Sequence, residues 1–510
     1  MALAQSPPPP ATLAELQQRL TEHISHPRFA AATWGVKVVS LDSGRTLFEQ
    51  NPGKLFSPAS NCKLYTMALA LDQLGGDYRI KTSFYAATKP DRSGVLKSDL
   101  ILYGRGDPTI NGRLNGGEIF RALEPLVATL TNAGIRRLRG DLVGDASFFR
   151  GPPYGSGWAW DDLNSYYGAE ISALTINDNT LQLSAAPGAT VGAPCHLTLL
   201  PPTSYVVLSN RTFTGTAGSR RDLSFYRPPG LNVVYVSGQL PRGDTNFTDT
   251  VTVANPAGLF VMLFKEALAR HGIRVEGKTR TVDGFNSAAP PVDVRRLLEL
   301  GSVTSPPMRD LVREVQKPSQ NLYADLVLAH LGALEQARRV SNRRDTSADS
   351  RRTEPELGAY PLTAEAAGIH ELEKLLTKAG VAPGEVQFEE GAGLSRNNLA
   401  TPNATLALLQ FMSRHPEAET FLNALPIAGV DGSLRHRMMA PPAAGNVRAK
   451  TGALRWANSL SGHVTTAAGE RLIFCIMLNR YSAPDAEHSA RAEVDRIAVM
   501  LAEYSGRPDK

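Results

Sequence analysis

Residues 64–71 read Leu-Tyr-Thr-Met-Ala-Leu-Ala-Leu, a run without a single charge. A helix that is apolar on every side belongs inside a core, so whatever fold forms must wrap this segment. Its leading end carries Pro58-Ala59-Ser60-Asn61-Cys62-Lys63. Ser60 and Lys63 stand three apart, which places a hydroxyl and an amine on one helix face, a turn from each other. Such a pair can make a nucleophile without histidine, because a neutral lysine can take the serine proton. Alone, Ser-x-x-Lys is a weak pattern. A helix start capped by Ser60, with Lys63 reaching solvent, is its commoner meaning.

At 510 residues the chain exceeds one core and implies roughly two to four domains. Its 42% apolar and 20% charged residues are those of an ordinary globular protein. The formal charge of +5 comes with no basic stripe interleaved with aromatics, which argues against nucleic acid as a partner. Cys62, Cys195 and Cys475 are scattered, without C-x-x-C, so neither a zinc site nor a disulfide scaffold is expected, and no metal or other cofactor is implied. H-E-x-x-H and G-x-S-x-G are absent, which removes the support for a zinc peptidase or an α/β-hydrolase triad. No apolar stretch reaches the roughly 18 residues of a transmembrane helix. Ala2-Leu3-Ala4-Gln5 resembles the end of a signal peptide at an A-x-A cleavage site, and Pro7 to Pro10 follow as an extended tether.

Along the chain, residues 13–24 have helical spacing, and 34–39 and 46–49 around Asp42-Ser43-Gly44 read as a hairpin. Strand patterns at 82–87 and 99–103 precede a helix over 118–132. Between 181 and 251, β-branched residues and turns predict an all-β module, with strands at 196–200, 205–208 and 232–237. Helical periodicity returns over 307–331. The arginine-rich stretch 338–356 reads as an exposed loop. Strands at 447–450, 459–465 and 471–478 predict a meander, closed by an amphipathic helix over 489–504.

Two further motifs follow in order: Ser319-Gln320-Asn321 at a helix start, and Lys450-Thr451-Gly452 leading into a strand. With Ser60 and Lys63 they make S-x-x-K, S-x-N and K-T-G, the set shared by penicillin-binding proteins and serine β-lactamases. From Ser60 to Ser319 is 259 residues (319 − 60), room for one or two inserted domains. In this the chain resembles the D-alanyl-D-alanine carboxypeptidases/endopeptidases of the penicillin-binding protein 4 type, the class C low-molecular-mass group of serine peptidase family S13. The resemblance extends to Gly106-Asp107-Pro108-Thr109, to residues 171–179, to 425–434, and to Asn458-Ser459-Leu460-Ser461-Gly462-His463-Val464. It departs at Glu390-Gly391-Ala392-Gly393-Leu394-Ser395-Arg396, where the family usually reads D-G-S-G-L-S-R.

The resemblance implies an α+β fold: a transpeptidase/β-lactamase-like catalytic domain (1–76 and 293–510) whose antiparallel sheet is flanked by helices. Nested within it would be a second domain (77–180 and 252–292) and an inner all-β domain (181–251). It further implies that Ser60 attacks a D-Ala–D-Ala bond to give an acyl-enzyme, with Lys63 as base, its pKa depressed by burial and by the Lys450 ammonium. Ser319 with Lys450 would return a proton to the departing amine, and Asn321 would hold the substrate amide and Lys63. The N–H groups of Ser60 and Ala453 would form the oxyanion hole. Lys450 and Thr451 would receive the substrate carboxylate, with Gly452 and Ala453 also binding substrate.

Arg396 would bind an acidic group of the stem peptide, or else make a surface ion pair. Trp158, Asp161 and Tyr166 would line a pocket for the diamino acid, with Asp161 on its free amine; core packing of the tryptophan is the competing account. Partners would be peptidoglycan stem peptides, with β-lactams as covalent inhibitors. Location would be the periplasm or the outer face of the cell envelope, in peripheral association with it. Two competing functions stay open: a β-lactamase, for which no deacylating glutamate is identifiable, and a catalytically dead wall-binding scaffold, against which the intact motifs argue.

Overall fold

The computed structural model describes residues 8–284, 292–346 and 363–506; residues 2–5, read above as resembling the end of a signal peptide, lie outside them. The chain divides into two compact units. One joins Met1–Tyr78, Pro307–Gly332 and Glu365–Lys510, and the other Arg79–Pro306 and Ala333–Ala364.

The first unit draws its sheet from both ends of the chain. Five antiparallel strands run in the order Arg448–Leu454, Ala457–Thr465, Arg471–Asn479, Thr33–Ser40, Thr46–Gln50. The N-terminal strand pairs with the C-terminal one from Thr33↔Asn479 to Ser40↔Leu472. Residues 472–478 are buried without alternation, as a central strand covered on both faces requires. On one face lie the first helix, Leu13–Ile24, and the last, Ala490–Glu503, joining Leu16, Leu20, Ile497 and Leu501 to the strand residues in one core. The helix Pro402–Met412 packs on the same two central strands. The charge-free segment becomes the helix Cys62–Leu74, with every residue from Cys62 to Leu71 buried.

The second unit has a mixed five-stranded sheet, in the order Thr279–Val282, Leu142–Asp145, Leu100–Tyr103, Lys81–Ala86, Leu298–Thr304, with the helices Ile119–Asn132 and Pro256–Arg270 packed on it. The β-rich interval forms two three-stranded sheets, one around Thr180–Ala186 and the other around Val233–Pro241.

Several sequence expectations change. The return to the first unit comes at Pro307 and not at 293, because Leu298–Thr304 pairs antiparallel with Lys81–Ala86 and so completes the second unit's sheet. The strand expected at 205–208 runs Val207–Gly215. Residues 307–331 form two helices, Met308–Gln316 and the long Asn321–Thr346, separated by a tight link. The arginine-rich stretch is helical as far as Thr346, and the rest of that expected loop lies outside the described residues. Glu335 binds Arg338 at 2.6 Å and Arg339 at 2.8 Å, three- and four-residue spacings that favour helix over loop.

Candidate active site

Ser60 sits in a single 3₁₀ turn, Ala59–Asn61, that runs directly into the Cys62–Leu74 helix. Ala59 adopts a left-handed φ of 48°. The turn is held from the sheet: Ser459 Oγ donates to the Pro58 carbonyl at 2.6 Å, and Asn61 Nδ2 donates to Ser461 Oγ at 2.7 Å. Two glycines let backbone come close. A Cβ at Gly452 would strike Ser459 Oγ and the Pro58 carbonyl; one at Gly393 (φ 84°) would overlap the Ala59 carbonyl. No side chain caps this helix start, so the Ser60 hydroxyl is not spent as a cap.

Lys63 does not reach solvent. It is fully buried, and its Nζ donates to Ser60 Oγ at 2.9 Å, Asn321 Oδ1 at 2.7 Å and the Ala392 carbonyl at 2.6 Å. Burial pushes its pKa down to about 8, against an upward pull from the Glu390 and Asp325 carboxyls. The expected help from a second ammonium falls on the other lysine: Lys450 is held well below its ordinary value by burial first, then by the charges of Lys63 and Arg437.

Ser319 lies in the link between the two helices, at a left-handed φ of 65° that turns its side chain toward the K-T-G strand. There it accepts from Lys450 Nζ at 2.7 Å; the same ammonium donates to the Thr451 carbonyl at 2.8 Å. The link is clamped by Lys317, whose Nζ donates to the Asp431 carboxylate at 2.6 Å and to the Leu425 carbonyl at 2.6 Å, while its carbonyl accepts the Ser433 N–H at 3.0 Å. The 425–434 segment therefore holds the serine turn in place. It also brings Ser433 Oγ within 2.7 Å of Thr451 Oγ1.

Beside these hydroxyls a cavity of about 230 Å³ opens along Gly452 and Ala453, with Arg437 and Arg491 in its wall. Arg437 is paired bidentately with Asp495 at 3.0 and 2.6 Å.

Sequence reasoning missed the groups behind Lys63. Glu390 is fully buried and accepts the N–H groups of Ala392 (2.9 Å) and Gly393 (2.7 Å) together with Asn398 Nδ2 (2.5 Å). Asp325, one turn after Asn321, accepts the Gly391 N–H at 3.0 Å. Its four-residue spacing from Asn321 was the available signal. Cys62 accepts from Asn398 at 3.3 Å, and burial pushes its thiol well up, so it stays a packed, unreactive group.

Arg396 lies in the same unit, where its Nη1 donates to the Arg455 carbonyl at 2.6 Å beside the hairpin after K-T-G; among the described residues no carboxylate pairs with it. Trp158, Asp161 and Tyr166 belong to the second unit, Asp161 and Tyr166 on its surface and Trp158 half-buried. The Gly106-Asp107-Pro108-Thr109 segment is likewise there. Asp107 accepts the N–H and hydroxyl of Thr109, and the Gly106 N–H reaches the Ala173 carbonyl at 2.6 Å, so this motif braces loops. Among the described residues no His, Cys, Asp and Glu cluster could hold a metal.

Known proteins resemble this chain in sequence and in fold. The D-Ala-D-Ala carboxypeptidase 3 (S13) family matches residues 16–359 and 350–501. A D-alanyl-D-alanine carboxypeptidase of Actinomadura sp. is 33% identical over 97% of this chain and 86% of its own length. The D-alanyl-D-alanine carboxypeptidase DacB of Haemophilus influenzae is 26% identical over 94% of this chain and 90% of its own. The crystal structure of penicillin binding protein 4 from H. influenzae superposes with a TM-score of 0.76 at 24% identity, covering 94% of this chain and 97% of that one. The two serines paired with buried lysines, the sheet beside them and these relatives converge: this chain belongs to the D-Ala-D-Ala carboxypeptidase 3 (S13) family.

Proposed function

We propose that this chain is a serine-type D-Ala-D-Ala carboxypeptidase that works through an acyl-enzyme on Ser60 and is acylated at the same residue by β-lactams. The observation that carries this is a fully buried lysine amine, held near neutrality, 2.9 Å from the hydroxyl of a serine that caps nothing.

Neutral Lys63 takes the Ser60 proton as Oγ attacks the penultimate D-Ala carbonyl. Charge developing on the carbonyl oxygen is met by the N–H groups of Ser60 and Ala453. Thr451, with Ser433 behind it, receives the substrate carboxylate in the cavity along Gly452 and Ala453. A carboxylate arriving there restores the Lys450 ammonium that burial suppresses, by the attraction of opposite charges. Lys450 can then resupply Ser319 as that hydroxyl gives its proton to the departing D-alanine amine. Asn321 fixes Lys63 through its Oδ1 and stands where it can hold the substrate amide. Water finally cleaves the acyl-enzyme.

The finer readings are proposals of the same kind: peptidoglycan stem peptides as substrate, the cross-link as a second target, and a diamino-acid pocket at Trp158, Asp161 and Tyr166. So are Arg396 as an acid-binding residue, the nested three-domain division, and a place in the periplasm or on the outer face of the envelope. One structure of the H. influenzae relative is of a complex with a β-lactam. The β-lactamase alternative needs a free carboxylate to activate water, and Glu390 is turned to backbone N–H groups instead.

Replacing Ser60 by Ala should abolish covalent labelling by a fluorescent penicillin and release of D-alanine from a D-Ala–D-Ala peptide. A variant that still labels would place the nucleophile elsewhere.

A further inference from the structure

Two carboxyl groups are buried behind Lys63, and their hydrogen bonding differs sharply. Glu390 collects four donors: Gly393 N–H at 2.7 Å, Ser395 N–H at 3.4 Å and Asn398 Nδ2 at 2.5 Å on Oε1, and Ala392 N–H at 2.9 Å on Oε2. Such a cradle is what an ionised carboxylate needs away from water. Asp325 is 2% exposed and receives one donor, Gly391 N–H on Oδ1 at 3.0 Å; its Oδ2 is buried with no hydrogen-bond partner. A bare buried oxygen is costly when neutral and far costlier when it carries half of a negative charge.

We propose that this pair carries one proton, held by Asp325, so that Lys63 faces a single negative charge, on Glu390. Asp325 is then a positioning residue. Its contact with Gly391 N–H, and that of Thr66 Oγ1 with the Gly391 carbonyl at 2.8 Å, fix the loop whose next carbonyl, Ala392, accepts Lys63. Glu390 sets how readily Lys63 gives up its proton. Two ionised carboxyls there would keep Lys63 protonated and idle as a base; none would leave the buried ammonium unsupported.

The charges around the pair agree. Burial raises Asp325 well above the ordinary carboxylate range, Glu390 and Glu365 push it the same way, and Lys63 with the single Gly391 N–H opposes. Burial raises Glu390 as well, but the Ala392 N–H, Lys63 and the Gly393 and Ser395 N–H groups all favour its ionised form. Cys62, the remaining titratable group here, is a neutral thiol.

This inference rests on Lys63 being the base. Its test is the pH dependence of acylation by a chromogenic β-lactam in the full-length chain. Asp325→Asn removes no charge, so the acid limb should stay within about 0.3 pH of wild type, whatever happens to the maximal rate. Glu390→Gln removes the one charge and should move the limb down by about one pH unit or more, a tenfold gain relative to plateau on the acid side. An Asp325→Asn limb that drops as far as that of Glu390→Gln, or a Glu390→Gln limb that does not move, would overturn it.

Should Glu390→Gln fail to fold, an infrared difference spectrum of wild type minus Asp325→Asn decides alone: a protonated-carboxyl carbonyl band present in wild type and lost in the variant supports the assignment, and its absence from wild type refutes it. That band reports on Asp325 whether or not Lys63 is the base. A Lys63→Ala variant that acylates at the wild-type rate would instead sink the catalytic reading.

Discussion

Lys63 and Lys450 are the same residue in the same degree of burial, yet their surroundings differ in sign. Lys63 is backed by the buried Glu390 carboxylate, which offsets part of the cost of burial and leaves it at about 8. Lys450 has a hydroxyl and a carbonyl as partners and feels only positive charge, from Lys63 and Arg437, so it is driven much lower. Burial alone does not decide what a lysine can do. Neighbouring charge separates a base that cycles near neutral pH from a cation that is complete only when a substrate carboxylate supplies the missing charge.

The comparison can be broken most forcefully at Lys63. Lys63→Ala should slow acylation by a fluorescent penicillin by about 100- to 10,000-fold, the range for loss of a general base; stopped-flow labelling measures it. Lys450→Ala should cost less in acylation, about 10- to 100-fold, through lost carboxylate recognition and proton return. Its acid limb should stay where the wild-type limb lies, because the charge that supports Lys63 is that of Glu390. A limb that moves with Lys450→Ala would mean the two sites are not electrically distinct. Ser433→Ala, which removes only the hydroxyl behind Thr451, should raise KM for a D-Ala–D-Ala peptide about two- to tenfold with kcat nearly unchanged. Smallest of all, Cys62→Ala should leave labelling rates as they are and lower stability in urea by about 1 kcal/mol, since it removes one buried atom beside the base.

How much of this was legible depended on whether a feature was local. The Cys62–Leu74 helix, the hairpin of Thr33–Ser40 with Thr46–Gln50 and the closing meander follow from period and turn residues, and the three motifs name Ser60, Lys63, Ser319, Asn321 and Lys450. The far end of the second unit did not announce itself. Leu298–Thr304 belongs to it because it pairs with a strand more than two hundred residues earlier, and nothing in its own pattern says so. The arginine-rich stretch misled in the other direction, since its start continues a helix on which Glu335 ties down Arg338 and Arg339.

At the site, Glu390 stood in plain view as a departure from the usual aspartate, and composition gives no hint that a loop carboxylate is fully buried. Asp325 was readable only once Asn321 was known to face Lys63, because residues four apart on a helix share a face. Side-chain environment, unlike side-chain identity, is a property of the folded chain.

The central claim is that Lys63, poised near neutrality by burial and its carboxyl neighbours, activates Ser60. The most direct measurement is the second-order acylation rate of the intact wild-type chain by penicillin as a function of pH. The base must be neutral to act, so the rate should fall about tenfold for each pH unit below a limb near 8 and level off above it. A rate that is flat from well below to well above that limb, or that rises as the pH falls, would contradict the claim.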